Sequence, residues 1–139
     1  MLFRIKGKEN NESIPVNGIT RIPAGTVLTA ASLVSVADIR IDGVVNGPVM
    51  CEGKVVIGED GVVAGDLLCC NADISGTMTG DVTASGLVNV TSAGRLKGDI
   101  RSVNLGIENG ASFEGSCRII TEDEFSAAAE EFRRRLESI

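Results

Sequence analysis

Short apolar segments with a spacing of two recur along the middle of the chain. The clearest has an apolar residue, any residue, glycine, any residue and a second apolar residue, and it occurs five times. The copies begin at Val45, Val63, Met78, Leu96 and Phe113, and their central glycines are 15 to 18 residues apart. Alternation with a period of two is typical of β-strands, and glycines inside the segments argue against helices. The repeat therefore predicts an all-β fold.

A second pair of apolar residues, also two positions apart, precedes each copy. These pairs begin at Ile39, Val55, Ala72, Val88 and Leu105. Each unit thus contains two or three short strands separated by Gly, Asn, Asp and Ser. A unit of this length is too short for the paired hairpins of a sandwich. It matches one coil of a parallel β-helix, in which three short strands are joined by tight corners and coils stack about 4.8 Å apart.

Equivalent residues of successive coils should then lie directly above one another. The repeated phrase predicts two internal ladders, formed by Val45, Val63, Met78, Leu96 and Phe113 and by Val49, Leu67, Val82, Ile100 and Cys117. We expect the glycines between them to face the same crowded interior. The aspartates that follow, Asp66, Asp81 and Asp99, should point outward and serve solubility or corner hydrogen bonds rather than bind calcium. Residues 18–37 predict one further, degenerate coil, which gives about six.

The chain divides into three predicted parts: a flexible N-terminal tail over 1–17, the β-helix over 18–118 and a helical tail over 119–139. Within the last part, Thr121 and Glu124 form a capping-box pattern at the start of a short amphipathic helix over 121–138. The apolar face of that helix contains Phe125, Ala129, Phe132 and Leu136. This face packs either on the body of the protein, including its last coil, or on a partner or neighbouring subunit; the sequence leaves both open.

Composition removes several classes of function. The 139 residues include no His, Trp or Tyr, and the formal net charge is −6. Without histidine, the common triads, imidazole bases and histidine-bound zinc are missing, so we predict no catalytic site and no enzyme. An acidic chain with few aromatic residues argues against nucleic-acid binding. The remote enzymatic alternative is a hexapeptide-repeat acyltransferase or related carbonic anhydrase on a left-handed β-helix, which needs histidine and a strict six-residue repeat.

Cofactors, metals and nucleotides are not predicted either. The four cysteines, Cys51, Cys69, Cys70 and Cys117, lack the paired spacing of zinc ligands, and their simplest role is that of small buried apolar residues. No phosphate-binding loop with the Gly-x-x-x-x-Gly-Lys-[Ser/Thr] pattern is present, so nucleotide binding is not expected.

The segments Ile39–Gly47 and Gly53–Asp66 resemble the bactofilin family of bacterial polymer-forming cytoskeletal proteins, and the resemblance covers residues 18–118. It implies a right-handed, three-sided β-helix that assembles end to end into filaments without nucleotide. Such filaments scaffold membrane and cell-wall proteins and affect cell shape. The chain departs from the family in two places. Its first coil lacks the Gly-Asp step, and its C-terminal tail predicts a helix where the family often has a disordered, proline-rich tail.

The two ends of a β-helix leave strand edges unpaired above an apolar core, and a second copy can satisfy them. We predict one contact at the C-terminal end, formed by Leu105, Ile107, Phe113 and Cys117, and one at the N-terminal end, formed by Ile22, Val27 and Leu28. Contacts that pair only like ends would give filaments without polarity. The alternative is a monomeric binding module whose C-terminal helix caps the β-helix and blocks assembly, because soluble solenoids usually carry such caps.

The first eight residues combine apolar and basic side chains: Leu2, Phe3 and Ile5 with Arg4, Lys6 and Lys8. They resemble the short membrane-targeting peptide of many bactofilins, and they predict a weak anchor to anionic lipid. The alternative is an ordinary basic, disordered start. The sequence contains no signal peptide and no apolar run near the roughly 18–20 residues of a membrane span. The predicted location is therefore the cytoplasm at the inner face of the membrane, with the chain itself, anionic lipid and unidentified cell-wall or shape-determining proteins as partners.

Overall fold

The computed structural model describes residues 20–29 and 32–137, within which the chain forms sixteen strands and one helix. The first nine strands are β1 (Thr20–Ile22), β2 (Val27–Thr29), β3 (Leu33–Ser35), β4 (Ile39–Ile41), β5 (Val44–Asn46), β6 (Val49–Cys51), β7 (Lys54–Ile57), β8 (Val62–Ala64) and β9 (Leu67–Cys69). The others are β10 (Asn71–Ile74), β11 (Thr77–Thr79), β12 (Val82–Val90), β13 (Arg95–Lys97), β14 (Ile100–Ile107), β15 (Ser112–Glu114) and β16 (Cys117–Ile119), followed by helix α1 (Glu122–Glu137).

Every described strand pairs in parallel with its equivalent in a neighbouring coil, and the pairs form three faces. Face 1 contains β1, β4, β7, β10 and the second halves of β12 and β14; face 2 contains β2, β5, β8, β11, β13 and β15. Face 3 contains β3, β6, β9, the first halves of β12 and β14, and β16. The chain visits the three faces six times, which confirms the predicted parallel β-helix of about six coils.

The predicted ladders are confirmed, and both extend into the first coil. Leu28 pairs with Val45 at the head of one ladder, and Leu33 pairs with Val49 at the head of the other. Inward side chains of the middle coils are almost fully buried; Val63 and Met78 have no exposed surface and Leu96 is 1 % exposed. Because each coil places the same kind of side chain over the one before, small aliphatic residues can fill this core without aromatic residues.

The corner glycines have a different role from the one expected. Gly65, Gly80 and Gly98 lie between faces 2 and 3 with φ of 153°, 137° and 141°. A Cβ on Gly65 would clash with the carbonyl oxygen of Gly47, and one on Gly98 would clash with that of Gly80. The prediction that these glycines face the interior is therefore wrong. They lie against the backbone of the preceding coil, and only glycine accommodates both this contact and the positive φ.

The C-terminal helix begins where the capping pattern places it. The backbone N–H of Glu124 donates to the Thr121 hydroxyl at 3.2 Å, and the Thr121 N–H donates to the Glu124 carboxylate at 3.1 Å. This reciprocal pair satisfies donors that the first helical turn leaves free. The N-terminal tail over 1–17, including the proposed membrane residues, lies outside the described residues. No helix in the part of the chain that the structure describes is long and apolar enough to cross a membrane.

Candidate assembly surfaces

The C-terminal end of the β-helix leaves apolar core positions uncovered. In coil 5, Val90 and Leu96 are 0 % and 1 % exposed. Their partners in coil 6 are Ile107, which is 43 % exposed, and Phe113, which is partly exposed. The same comparison holds for the other predicted residues of this end: Leu105 is partly exposed and Cys117 is exposed. Coil 6 thus has the inward apolar residues of an interior coil, and no strand among the described residues stacks on them.

Ile119 belongs to this surface, and the sequence interpretation missed it. It pairs with Ser102 and is 60 % exposed, whereas Ser102 is fully buried. Strand β16 extends to Ile119, one residue beyond the predicted end of the β-helix at residue 118. The alternation of Cys117 and Ile119 could have revealed it. The four predicted residues and Ile119 together form what we call the C-terminal end surface: Leu105, Ile107, Phe113, Cys117 and Ile119.

The strand edges at this end also have free backbone groups. Among the described strands, β15 pairs only with β13, and β16 pairs only with β14. The second half of β14 pairs only with β12. Each of these strands therefore has one edge whose N–H and C=O groups take part in no sheet pairing. Such an edge is a template for another strand.

A column of aspartates holds the last coils in register along one corner. The backbone N–H groups of Asp81 and Asp99 donate to the carboxylates of Asp66 and Asp81, each at 3.0 Å. At the end of the column, Ser116 donates to the Asp99 carboxylate through its N–H at 3.0 Å and its hydroxyl at 2.9 Å. These bonds to Ser116 lower the pKa of Asp99. The expected role of the aspartates in corner hydrogen bonds is confirmed, and Asp99 ties coil 6 to coil 5.

Helix α1 lies along face 3 and does not cover the C-terminal end. Its Ala129 and Phe132 pack on Met50 and Leu68, with Phe125 and Val34 at the edges of the cluster. A helix of 16 residues is about 24 Å long. The six coils of the β-helix are separated by five steps of about 4.8 Å, so the β-helix and α1 are about equally long. Of the two interpretations of the apolar helix face, packing on the body is the one observed; the side chain of Leu136 lies outside the described residues.

Two ion pairs accompany this packing. Arg118 of the last strand lies 3.3 Å from Glu124 in the first turn of α1, and Arg135 in the last turn lies 3.8 Å from Asp66 of coil 3. Both pairs are largely exposed, so each contributes at most about 1 kcal/mol. They mark the direction of the helix, which starts beside coil 6 and runs back past coil 3.

The predicted residues of the N-terminal end are placed differently from those of the C-terminal end. Ile22 and Leu28 face inward in the first coil and are only 5 % and 4 % exposed. Val27 is 65 % exposed and lies on the outer side of face 2. The structure therefore groups Ile22 and Leu28 in one core and places Val27 on another surface. Their contact with a second copy remains a prediction.

Cys51 and Cys69 are the buried apolar residues that the sequence predicts, whereas Cys70 is partly exposed and Cys117 is exposed. All four are free thiols, and Cys51 and Cys69 are buried in the core. Burial raises the pKa of Cys51 to about 11 and also raises that of Cys69. Both are therefore protonated at neutral pH, while the thiolate is the reactive and metal-binding form. Within residues 20–29 and 32–137, no group of three or more Cys, Asp or Glu side chains could hold a metal ion.

Comparisons of the sequence with known proteins point to one family. A family model described as bactofilin, polymer-forming cytoskeletal, matches residues 20–118. Bactofilin BacP of Myxococcus xanthus is 32% identical over 90 residues, which are 65% of this chain and 38% of the relative. Bactofilin BacO of the same organism is 34% identical over 79 residues, which are 57% of this chain and 63% of the relative. The chain thus spans less than two thirds of either relative. No solved structure matches the chain significantly.

Proposed function

Since this chain belongs to the bactofilin family, we propose that it assembles end to end into filaments without nucleotide. These filaments scaffold cell-wall or shape-determining proteins at the inner face of the cytoplasmic membrane. The role is structural and includes no catalytic step. It follows the description of the family as polymer-forming and cytoskeletal.

The observation that carries the proposal is the change in exposure between coils 5 and 6. Residues at equivalent ladder positions go from buried to exposed in one step: Val90 to Ile107, and Ser102 to Ile119. Solenoids that remain monomeric usually replace such residues by a polar or helical cap. Here the terminal coil keeps the composition of an interior coil, and the helix that could have capped it packs on face 3. A second copy is the simplest cover for this end.

A two-fold axis across the junction would place the C-terminal end surfaces of two copies against each other. Such an axis reverses the direction in which the chain winds, so the strands that meet would run antiparallel. Antiparallel edges pair well, and each new backbone hydrogen bond adds to the burial of apolar side chains. Because every residue of a two-fold contact occurs twice, one substitution changes both sides of the junction. Filaments built from such contacts at both ends have no polarity.

The membrane part of the proposal rests on the basic and apolar residues at positions 2–8. Basic residues near anionic lipid contribute about 1 kcal/mol each, and a few apolar side chains add weakly to this. One copy would bind only marginally. A filament presents the same segment many times, so many weak contacts add up to stable attachment. Polymerisation and membrane binding would therefore support each other.

Assembly of the full chain tests the proposal directly. Purified protein at tens of micromolar should scatter light and show filaments in negative-stain electron microscopy, with or without added ATP or GTP. Removal of nucleotide by dialysis should leave the amount of polymer unchanged. Protein that remains monomeric under these conditions would contradict the polymer. Polymer that forms only with nucleotide would contradict the proposed mechanism.

A further inference from the structure

The outer side of face 2 is uncharged over its first four coils. Its outward positions in β2, β5, β8 and β11 stack in register, and none of their side chains carries a charge. We call them the uncharged patch: Val27, Thr29, Val44, Asn46, Val62, Ala64, Thr77 and Thr79. In the next two coils the same positions contain Arg95, Lys97, Ser112 and Glu114. Charged residues make up 23% of the chain, so eight neighbouring uncharged positions form a distinct surface.

The other two faces of the β-helix do not have such a surface. Face 1 carries ion pairs on its outer side; Arg40 lies 3.0 Å from Asp42, and Lys54 lies 2.8 Å from Asp73. Face 3 has apolar outer residues in its first three coils, but α1 packs on them. On face 2, Val27 remains 65 % exposed, and Ala64 and Thr79 are exposed as well. The patch is therefore open where the equivalent part of face 3 is covered.

We propose that the uncharged patch is a lateral contact between copies of this chain in neighbouring filaments. The proposal rests on the end-to-end assembly proposed above. Six of the eight residues of the patch are β-branched, and their register keeps them in straight rows. Sheets with such surfaces pack face to face about 10 Å apart. A contact between two identical uncharged surfaces leaves no buried charge without a partner. The patches of two copies can therefore pack against each other.

The size of the patch indicates that its partner is a filament rather than a single molecule. Four strands about 4.8 Å apart, each about 10 Å long, cover roughly 200 Å². A stable complex buries about 800 Å² on each partner. One pair of patches is therefore too small to hold two molecules together. A filament repeats the patch with every copy, and a second filament repeats it at the same interval, so the weak contacts add.

The charged coils beside the patch set its boundary. If two copies pack patch to patch about a two-fold axis parallel to the β-helix, Arg95 and Lys97 of one copy approach the same residues of the other. Like charges that face each other are unfavourable. The contact should therefore stop at coil 4 and leave coils 5 and 6 solvated.

The test compares two variants that add the same charge to different faces. Ala64→Lys places a lysine at the centre of the patch, between Asn46 and Thr79. Asn89→Lys places one on the outer side of face 1, beside Asp73. Both positions lie outside the core, and each change takes the formal net charge of −6 one unit closer to zero. General repulsion between filaments therefore falls equally in both variants.

Low-speed centrifugation collects bundles, whereas single filaments sediment only at high speed; electron microscopy distinguishes the two directly. We expect wild type and Asn89→Lys to pellet at low speed, and Ala64→Lys to lose the low-speed pellet while its high-speed pellet is retained. Single wild-type filaments, bundles of Ala64→Lys, or loss of bundles in both variants would overturn the lateral contact and leave end-to-end assembly standing. Wild-type filaments that bundle only after residues 2–17 are deleted would identify that segment as the occupant and also overturn it. Absence of any filament would overturn both proposals.

Discussion

Ile107 offers the sharpest test of the C-terminal end surface, because the chain contains a matched control. Ile107 and Leu87 are each 43 % exposed. Ile107 occupies an inward ladder position of the last coil, whereas Leu87 lies in β12, beside the register shift that follows Ala84. Replacement by lysine removes similar apolar surface and adds the same charge at both positions. The two variants differ mainly in whether the residue lies at the proposed junction.

The size of the effect follows from the remaining exposure of Ile107. Full burial of an isoleucine side chain stabilises by about 1.5–3 kcal/mol, so covering the exposed 43 % is worth about 1 kcal/mol. The two-fold junction contains this residue twice, which gives about 2 kcal/mol, or about 30-fold in the association constant. Two lysines brought together at a desolvated junction add a further cost. We therefore expect Ile107→Lys to weaken assembly by more than about 100-fold in total.

The measurement is the critical concentration for assembly, obtained by high-speed sedimentation, with melting temperatures from circular dichroism as a check on folding. Leu87→Lys should assemble like wild type, and both variants should melt within a few degrees of each other. The oligomer that Ile107→Lys still forms also shows whether the filament has polarity. Analytical ultracentrifugation should find dimers joined through the N-terminal end if like ends pair, and monomers if the filament is head to tail. Equal critical concentrations for the two lysine variants would refute the end surface.

Two further predictions concern stability at low pH and binding to anionic membranes. The pKa of Asp99 is lowered by its bonds to Ser116 and that of Asp42 by its bond to Arg40, so both carboxylates favour the folded state while ionised. Their contribution is complete above the unfolded value of 3.8 and is lost as pH falls through the lowered folded values. Melting temperatures should therefore drop below about pH 4, and Asp99→Asn should show a smaller drop; an identical acid profile would contradict the role of Asp99. Deletion of residues 2–8 should abolish co-sedimentation with anionic liposomes without changing the critical concentration, and undiminished lipid binding would place the membrane contact elsewhere.

The ladders could be predicted from the sequence because stacking repeats the same constraint in every coil. Val45, Val63 and Met78 lie at equivalent positions of a regular phrase, and period-two alternation alone assigns them to the interior. The first coil could also be predicted, although its copy of the repeat is degenerate. Its limits were less clear, because the alternation there is interrupted by Pro23 and Gly25.

Ile119 was missed because the other residues of its ladder are small and give only a weak apolar signal. The residues before it in the same column include Ser35, Cys51, Ala84 and Ser102, which are small or polar. Several of them form hydrogen bonds to backbone carbonyls at the corners. The Ser35 hydroxyl, for example, donates to the carbonyl of Ala37 at 2.9 Å. A ladder of small residues that form hydrogen bonds at a corner does not predict an apolar residue at its last position. Only the local alternation after Cys117 points to it.

The position of α1 was left open for a related reason. Its docking site on face 3 consists of outward residues, which a period-two pattern assigns to solvent. The signal was nevertheless present, since Met50 lies between Val49 and Cys51, and Leu68 lies between Leu67 and Cys69. All three residues of β6 and of β9 are buried. Three consecutive apolar residues in a short strand indicate burial on both sides, and hence a covering element.

The placement of α1 also determines which surfaces can take part in assembly. Met50 and Leu68 would form an apolar outer patch on face 3 if the helix were absent, and such patches favour association. With α1 in place, face 3 presents the charged outer side of the helix, and face 1 presents its ion pairs. Contacts between copies are then left to the two coil ends and to the uncharged patch of face 2. Because the end surface joins coils along the axis while face 2 lies parallel to it, the first contact sets filament growth and the second can only join filaments side by side.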